Sequence, residues 1–339
     1  MDSLKKKAKV WLCIAIGLML LSMVAASMVQ SSGGTVTIKD VRWVTTQGLQ
    51  MSGLLFVPDG ASAENKLPTI VTSHGMFNNR EMQDANYVEL SRRGFVVLSM
   101  DMFSHGFSDN VPFIGGILTG MYEAVKMVAD LPYVDTARIG ITGHSLGGMS
   151  SNTAISQDNA AEQPLIAAVY LNCADATYVD GEGNYTDVYG TRAAGIMAAQ
   201  YDEFFMTQMI DDKETSPTKY LDNANAQSFL YFGTDPVGQP LRLKDTFYTQ
   251  EVNGVNALRI INNPAITHPW SHFSKRATAA VIEFFDEAFG APNPISANSQ
   301  VWQWKELWNL LGLIGFAMFA VNFAILMVFT KFFSSLQAK

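Results

Sequence analysis

Residues 143–147 read Gly-His-Ser-Leu-Gly, the G-x-S-x-G pattern that holds a serine on a sharp turn between a strand and a helix. Chance supplies such a pentapeptide to roughly one chain in ten of this length, so the partners decide its meaning. A serine hydroxyl is a weak nucleophile at neutral pH. To attack an acyl carbon, Ser145 needs a base to take its proton, a group to orient that base, and N–H donors for the developing oxyanion. In sheets of parallel strands such groups gather just past the carboxyl ends of the strands.

The acid sought in this way is Asp235, in Tyr231-Phe232-Gly233-Thr234-Asp235-Pro236, directly after a predicted strand. An Asp before Pro is also a common turn former. Asp175, after the preceding strand, is the alternative acid. The chain has five histidines. His268 and His272 both follow the last predicted strand, with His268 the expected base and His272 the alternative. Their i, i+4 spacing suits zinc on a helix, but Pro269 interrupts a helix there and the glutamate of HExxH is absent. No metal or cofactor is expected. His74-Gly75-Met76 closes the third predicted strand, where a tight turn would aim the Met76 N–H at the same point as the Leu146 N–H, forming an oxyanion hole. His74 and His105 read as loop architecture. His144 fills the free position of the pentapeptide and is assigned no catalytic role.

The elements that must position these residues alternate strand and helix. Strands are predicted at Thr35–Thr46 and Leu49–Val57 as a hairpin, then at Pro68–Ser73, Phe95–Met100, Ile139–Thr142, Ile166–Asn172, Ser228–Phe232 and Ala257–Ile261. Helices are predicted at Asp84–Arg93 and Met121–Leu131, and from the Ser274 cap through Phe289, closed by Gly290. This order implies a mostly parallel twisted sheet with helices on both faces. Residues 174–226 interrupt the rhythm. With Thr191–Ile210 apolar enough for one or two helices, they read as a lid insertion within a catalytic domain of residues 31–290.

Both ends of the chain are apolar. Val10–Val29 carries no charge over 20 residues and follows a lysine cluster, as a signal-anchor or transmembrane helix within residues 1–30 would. The small-residue run Val24-Ala25-Ala26 also resembles a signal-peptide cleavage site. After a Pro/Ser/Asn-rich linker at 291–304, Leu307–Phe329 forms a second apolar run within residues 305–339, with Trp302, Trp304 and Trp308 as an interfacial belt. Asn322 is expected to hydrogen-bond the other helix across the bilayer. Lysine placement predicts both termini in the cytoplasm and the body outside the cell membrane. The net charge is −8, with +3 and +2 at the two ends and −13 between them. An acidic body excludes a nucleic-acid partner. Cys13 and Cys173 give no disulfide framework.

Across roughly Thr35–Gly290 the sequence resembles an α/β-hydrolase-fold serine hydrolase. The resemblance rests on four features in order: the His74-Gly75 turn, the Asp101–Ser108 loop (DMFSHGFS), the GHSLGG elbow, and Gly233-Thr234-Asp235 followed by a late histidine. Tyr133–Gly148 is similar to the dienelactone-hydrolase and acetyl-esterase branches. One departure is Phe103-Ser104, where the family usually has a glycine in the loop after the aspartate. The resemblance implies cleavage of a carboxylic ester, on a small-molecule or lipid-like acyl substrate, by Ser145, His268 and Asp235. A peptidase or amidase on the same fold is the alternative, and a non-catalytic binding protein is a third reading.

Overall fold

The computed structural model describes residues 2–112, 119–210, 213–333 and 336. The chain divides into two compact units, Thr35–Gln300 and the paired ends Met1–Gly34 and Val301–Lys339. In chain order the elements are α1 (Asp2–Gln30), β1 (Val36–Val44), β2 (Gln50–Pro58), β3 (Leu67–Ser73), α2 (Asp84–Arg92), β4 (Val96–Asp101), α3 (Met121–Ala129), β5 (Val134–His144), α4 (Leu146–Asn159), β6 (Ile166–Asn172), β7 (Ala193–Met197), β8 (Gln208–Ile210), β9 (Lys213–Thr215), α5 (Ala224–Leu230), β10 (Tyr248–Val252), β11 (Val255–Asn262), α6 (Lys275–Phe289) and α7 (Trp302–Val328).

The larger unit is an α/β-hydrolase fold built on one nine-stranded sheet, in the order β1-β2-β4-β3-β5-β6-β7-β11-β10. The hairpins β1–β2 and β10–β11 form its two edges, and β2 also runs antiparallel to β4. The strands from β4 through β11 in that order are mutually parallel. β3 and β4 are buried along their whole length, as expected of short apolar runs covered on both faces. Helices pack on the sheet in two groups, α2 with α6 and α3 with α4. The register aligns Ser73 with Gly143, His144 with Asn172, and Met197 with both Asn172 and Asn262. Residues that follow β3, β5, β6, β7 and β11 therefore line one edge of the sheet.

Two expected elements are corrected. The predicted strand Ser228–Phe232 is the end of helix α5, capped at its start by the Asn223 side chain, which accepts the Asn225 N–H. The aromatic run there favours a strand by propensity, but Ala226, Phe229 and Leu230 bury a helical face instead. The missing strand is β7, Ala193–Met197, inside the segment read as lid helices. Alanine and glycine are poor strand formers by themselves. Here they are required, because a Cβ on Gly195 would come within 2.5 Å of the Tyr170 ring and 3.0 Å of Phe284. Residues 174–226 are thus divided by an inner strand and are not one lid insertion.

The segment expected as a linker is strapped to the body as far as Gln300. Arg93, fully buried, donates from Nε to the Ile295 carbonyl (2.9 Å) and from its terminal nitrogen to Ser296 (2.7 Å). Asn293 N–H in turn donates to the Arg93 carbonyl at 2.9 Å.

In the smaller unit, α1 and α7 lie together, and both are long and apolar enough to cross a membrane. Most of their side chains face away from protein, unlike those of a core helix. The buried residues of α1 are small: Ala8, Ala15, Ser22 and Ala26. They let the backbones approach, so that a Cβ on Gly312 of α7 would strike Ser22 Oγ at 2.5 Å. Asn322 does not bridge the helices as expected. Its amide donates to Met318 O of its own helix at 2.7 Å.

Candidate active site

The turn between β5 and α4 holds Ser145 at φ 58°, ψ −116°, a conformation that L residues reach only under strain. Its N–H donates to Asn172 O at 2.9 Å, tying the turn to β6. Glycine is forced on either side. A Cβ at Gly143 would lie 2.4 Å from Gly147 backbone, and one at Gly147 would lie 2.6 Å from Ser73 O. Ser145 is half-buried at the start of α4.

The turn after β3 lies against it. A Cβ on Gly75 would come 3.5 Å from the Ser145 Cβ. Among the described residues, neither the Met76 N–H nor the Leu146 N–H is drawn into a hydrogen bond, whereas the next amide, Phe77 N–H, donates to His105 Nε2 at 3.1 Å. His105 Nδ1–H donates to Phe103 O at 3.0 Å. His74 clasps the same region. Its Nδ1–H donates to Gly75 O (2.7 Å) and its Nε2 accepts Met102 N–H (3.1 Å). Burial, above all, pushes the His74 imidazole down to about 4. It is therefore neutral, as a ring that donates at one nitrogen and accepts at the other must be.

The loop after β4 is organised by buried Asp101, which accepts from Arg80 N–H, Ser52 Oγ and Phe107 N–H. Ser104, in the stretch where the family usually has a glycine, takes φ 63°, and its hydroxyl bonds Val111 O at 3.0 Å. Met76, Phe77, Asn78, Ser104, His105, Gly106 and Leu146 enclose a cavity of about 630 Å³ on this side of the serine.

His268 packs on the elbow through His144. Its ring lies 4.6 Å, centroid to centroid, from that of His144, the residue preceding Ser145. Phe204 and Phe205 wall it. The carboxylate that meets it is Asp202, with Oδ2 2.7 Å from Nδ1. Burial would raise the Asp202 carboxyl, but the His268 hydrogen bond and the Phe205 and Phe204 N–H donors outweigh it and hold it below the usual range.

The expected acid is thereby corrected. Asp235 is exposed, follows helix α5 instead of a strand, and among the described residues accepts only the local Val237 N–H at 3.0 Å. Asp175, the alternative, is engaged by the Tyr220 hydroxyl (2.8 Å) and by Tyr178. Asp202 does stand just past a parallel strand, the place where an acid belongs. Its sequence hides it, because the residues of β7 read as helix. The two chain segments beyond the sheet edge deliver it. Ala198, Gln200 and Tyr201 N–H groups donate in turn to Asn262, Pro264 and Ile266 carbonyls (2.8–3.1 Å), extending the β7–β11 pairing until Asp202 faces His268. His272, the alternative base, is buried and turns its Nε2 to His144 Nδ1 at 3.0 Å.

Donor atoms of His144, Cys173 and His268 cluster within 4.8 Å of one another. The set does not suit a metal. His268 Nδ1 is committed to Asp202 and both His144 nitrogens to other partners, while burial pushes the Cys173 thiol well up, away from the thiolate a metal needs.

Residues 117–292, just over half of the chain, match the model of the prolyl oligopeptidase family. The chain belongs to that family. Residues 24–192 also match the esterase FrsA-like family, so the two matches share the segment that contains the elbow. Among curated proteins the chain is similar to an uncharacterized peptidase, YuxL, of Bacillus subtilis, at 24% identity over 59% of this chain and 30% of that protein. It is also similar to the uncharacterized protein YfhR of Escherichia coli O157:H7, at 26% identity over 41% and 48% respectively. The chain thus spans half or less of the length of these relatives. Among solved structures, a bacterial heroin esterase superposes with a TM-score of 0.51 at 14% identity, over 81% of this chain and 90% of that one, which speaks for the fold. This member of the prolyl oligopeptidase family has the α/β-hydrolase fold.

Proposed function

We propose that the protein is a membrane-anchored serine hydrolase that cleaves carboxylic esters through an acyl-enzyme. The observation that carries this is a strained Ser145 whose neighbour His144 packs 4.6 Å, ring to ring, from His268, a histidine whose Nδ1–H is held by buried Asp202. With Nδ1 so occupied, His268 Nε2 is left to take the Ser145 proton as Oγ attacks the acyl carbon. The carbonyl oxygen becomes an oxyanion that accepts from Met76 and Leu146 N–H. Collapse expels the alcohol, which takes its proton from His268. Water then repeats the sequence and frees the acid. An ester is favoured by the cavity beside Met76 and Leu146, which is mainly apolar and whose lining, among the described residues, carries neither a lysine nor an arginine nor a carboxylate, as suits a neutral acyl or alkoxy group. Proximity to a bilayer would make lipid-like acyl substrates accessible.

The second reading, a peptidase, draws on the family match and the peptidase-named relative. A fluorophosphonate probe is expected to label the wild type but not Ser145→Ala. p-Nitrophenyl esters of graded chain length are expected to turn over faster than aminoacyl p-nitroanilides; the reverse order would make the protein a peptidase. The proposed topology places the body outside the cytoplasm and both termini inside. Protease added to intact cells should then digest the body, and protection of the body would reverse that placement.

A further inference from the structure

His144 stands where the elbow pattern tolerates many side chains, yet it is 4% exposed and both of its ring nitrogens are engaged. Nε2 lies 3.0 Å from the His268 carbonyl, which can only accept, so Nε2 carries the proton. In the neutral ring Nδ1 is then an acceptor, and its partner at 3.0 Å, His272 Nε2, must donate. The first contact fixes the His144 tautomer, and the second then takes its proton from His272, whose ring also bonds the Met82 backbone. The two contacts also form a strut: His272 holds His144, and His144 holds the main chain of His268.

The rest of His268 is held as well. Its N–H donates to Glu203 Oε2 at 3.1 Å, its carbonyl also accepts from Ser271 Oγ at 3.2 Å, and its Nδ1 meets Asp202. Of these contacts, the one from His144 alone comes from the residue covalently joined to the nucleophile. Residues 144 and 268 are 124 apart in sequence; the first ends β5 and the second lies in the loop after β11.

We propose that His144 is a positioning residue, braced by His272, that sets the distance between Ser145 and His268 by clamping the backbone of the base to the backbone of the nucleophile. The inference rests on the reading of Ser145 and His268 as nucleophile and base. Burial, helped by the neighbouring histidines, keeps the His144 ring well below the ordinary histidine range and His272 down to about 4, so both stay in the neutral forms the strut requires. Misplacement of a reacting group by about 1 Å costs on the order of 10²-fold in rate, which sets the scale of the effect. Loss of the strut should appear in kcat and not in KM, because neither ring belongs to the cavity proposed for the substrate.

The test uses the full-length protein in detergent micelles. For His144→Phe, which keeps the ring and removes both polar atoms, kcat on a short p-nitrophenyl ester is expected to fall ~10- to 100-fold with KM within about twofold. His144→Gln should restore kcat to within about threefold of wild type, because its amide N–H can reach the His268 carbonyl. Should His144→Phe not fold, the same comparison is made between His272→Leu and His272→Gln, with the glutamine again expected to be the faster. A folded His144→Phe with unchanged kcat, or a glutamine no better than the apolar variant at both positions, overturns the proposal. Imidazole ¹⁵N spectra give a readout independent of activity: His144 should be protonated at Nε2 and bare at Nδ1, and the opposite tautomer also overturns the proposal. If Ser145→Ala keeps full activity while the tautomer is as assigned, the nucleophile reading has failed and the strut has not.

Discussion

Two loops at the carboxyl edge of the sheet carry the candidate chemistry, and they are encoded in opposite ways. The loop after β5 carries its own signature in sequence, two glycines flanking a serine at positive φ, even though Gly147 packs on Ser73 of β3 and the Ser145 N–H is held by Asn172 of β6. The loop after β7 holds Asp202 with non-local constraints, through hydrogen bonds to a strand extension more than 60 residues away in sequence. A motif is legible when the residue types its geometry demands lie side by side in the sequence. A single carboxylate is not, when its place depends on which distant strand it runs beside.

The largest effect that could break this comparison lies in the first loop. Ser145→Ala should lower kcat by ~10⁶-fold, near the scale seen when a serine nucleophile is removed, measured on p-nitrophenyl acetate. Substantial residual turnover would mean that the elbow is scaffolding.

Packing sharpens the contrast. Gly147→Ala must displace Ser73 and His74 backbone, and Gly195→Ala must displace the Tyr170 ring. Each should destabilise the fold by about 1–3 kcal/mol in urea denaturation. The Gly195 variant should also lose activity, since β7 leads into Asp202. A Gly195→Ala enzyme with full stability would mean that β7 is not an inner strand.

Three buried histidines around the site make stability depend on pH. His74 and His272 are lowered to about 4 and His144 well below its ordinary value, so the folded state keeps them neutral while the unfolded chain protonates them near 6.5. Their contribution is complete above about pH 6.5 and is lost as pH falls toward 4, by at most about 1.4 kcal/mol per pH unit for each. Asp202, held low, adds to the loss in the acid direction once pH falls below the carboxylate range. Thermal melts should therefore show Tm falling from pH 7 to pH 5, less steeply in His272→Gln. A flat Tm over that range would contradict the neutral pair.

The smallest effect is expected outside the catalytic unit. Asn322→Leu should leave the α1–α7 pairing within about 0.5 kcal/mol, because the asparagine satisfies its own helix while small residues make the contact.

Much of the site is readable from residue order. Ser145, His268 and the turn at Gly75 and Met76 each follow a strand whose apolar run is plain, and the structure brings them to one edge. The hairpin, the central strands and the two long apolar helices are equally legible. What escapes is a strand made of small residues and a short helix that runs into an aromatic stretch. In β7, Gly195 lacks a side chain because Tyr170 and Phe284 occupy the space beside it, a fact about β6 and α6 that no local pattern contains. In α5, the aromatic Phe229 is buried on a helix that starts at an asparagine cap. These two exchanges of element type shift the expected acid from Asp202 to Asp235. They also turn a strand of the sheet into an apparent lid.

The most direct test of the account compares Asp202→Asn with Asp235→Asn on one ester substrate. The Asp202→Asn change would keep the shape of the site but remove the carboxylate that fixes the His268 tautomer, and kcat should fall on the order of 10⁴-fold. Asp235→Asn, at an exposed turn, should stay within about twofold of wild type. A fully active Asp202→Asn beside an inactive Asp235→Asn would contradict it.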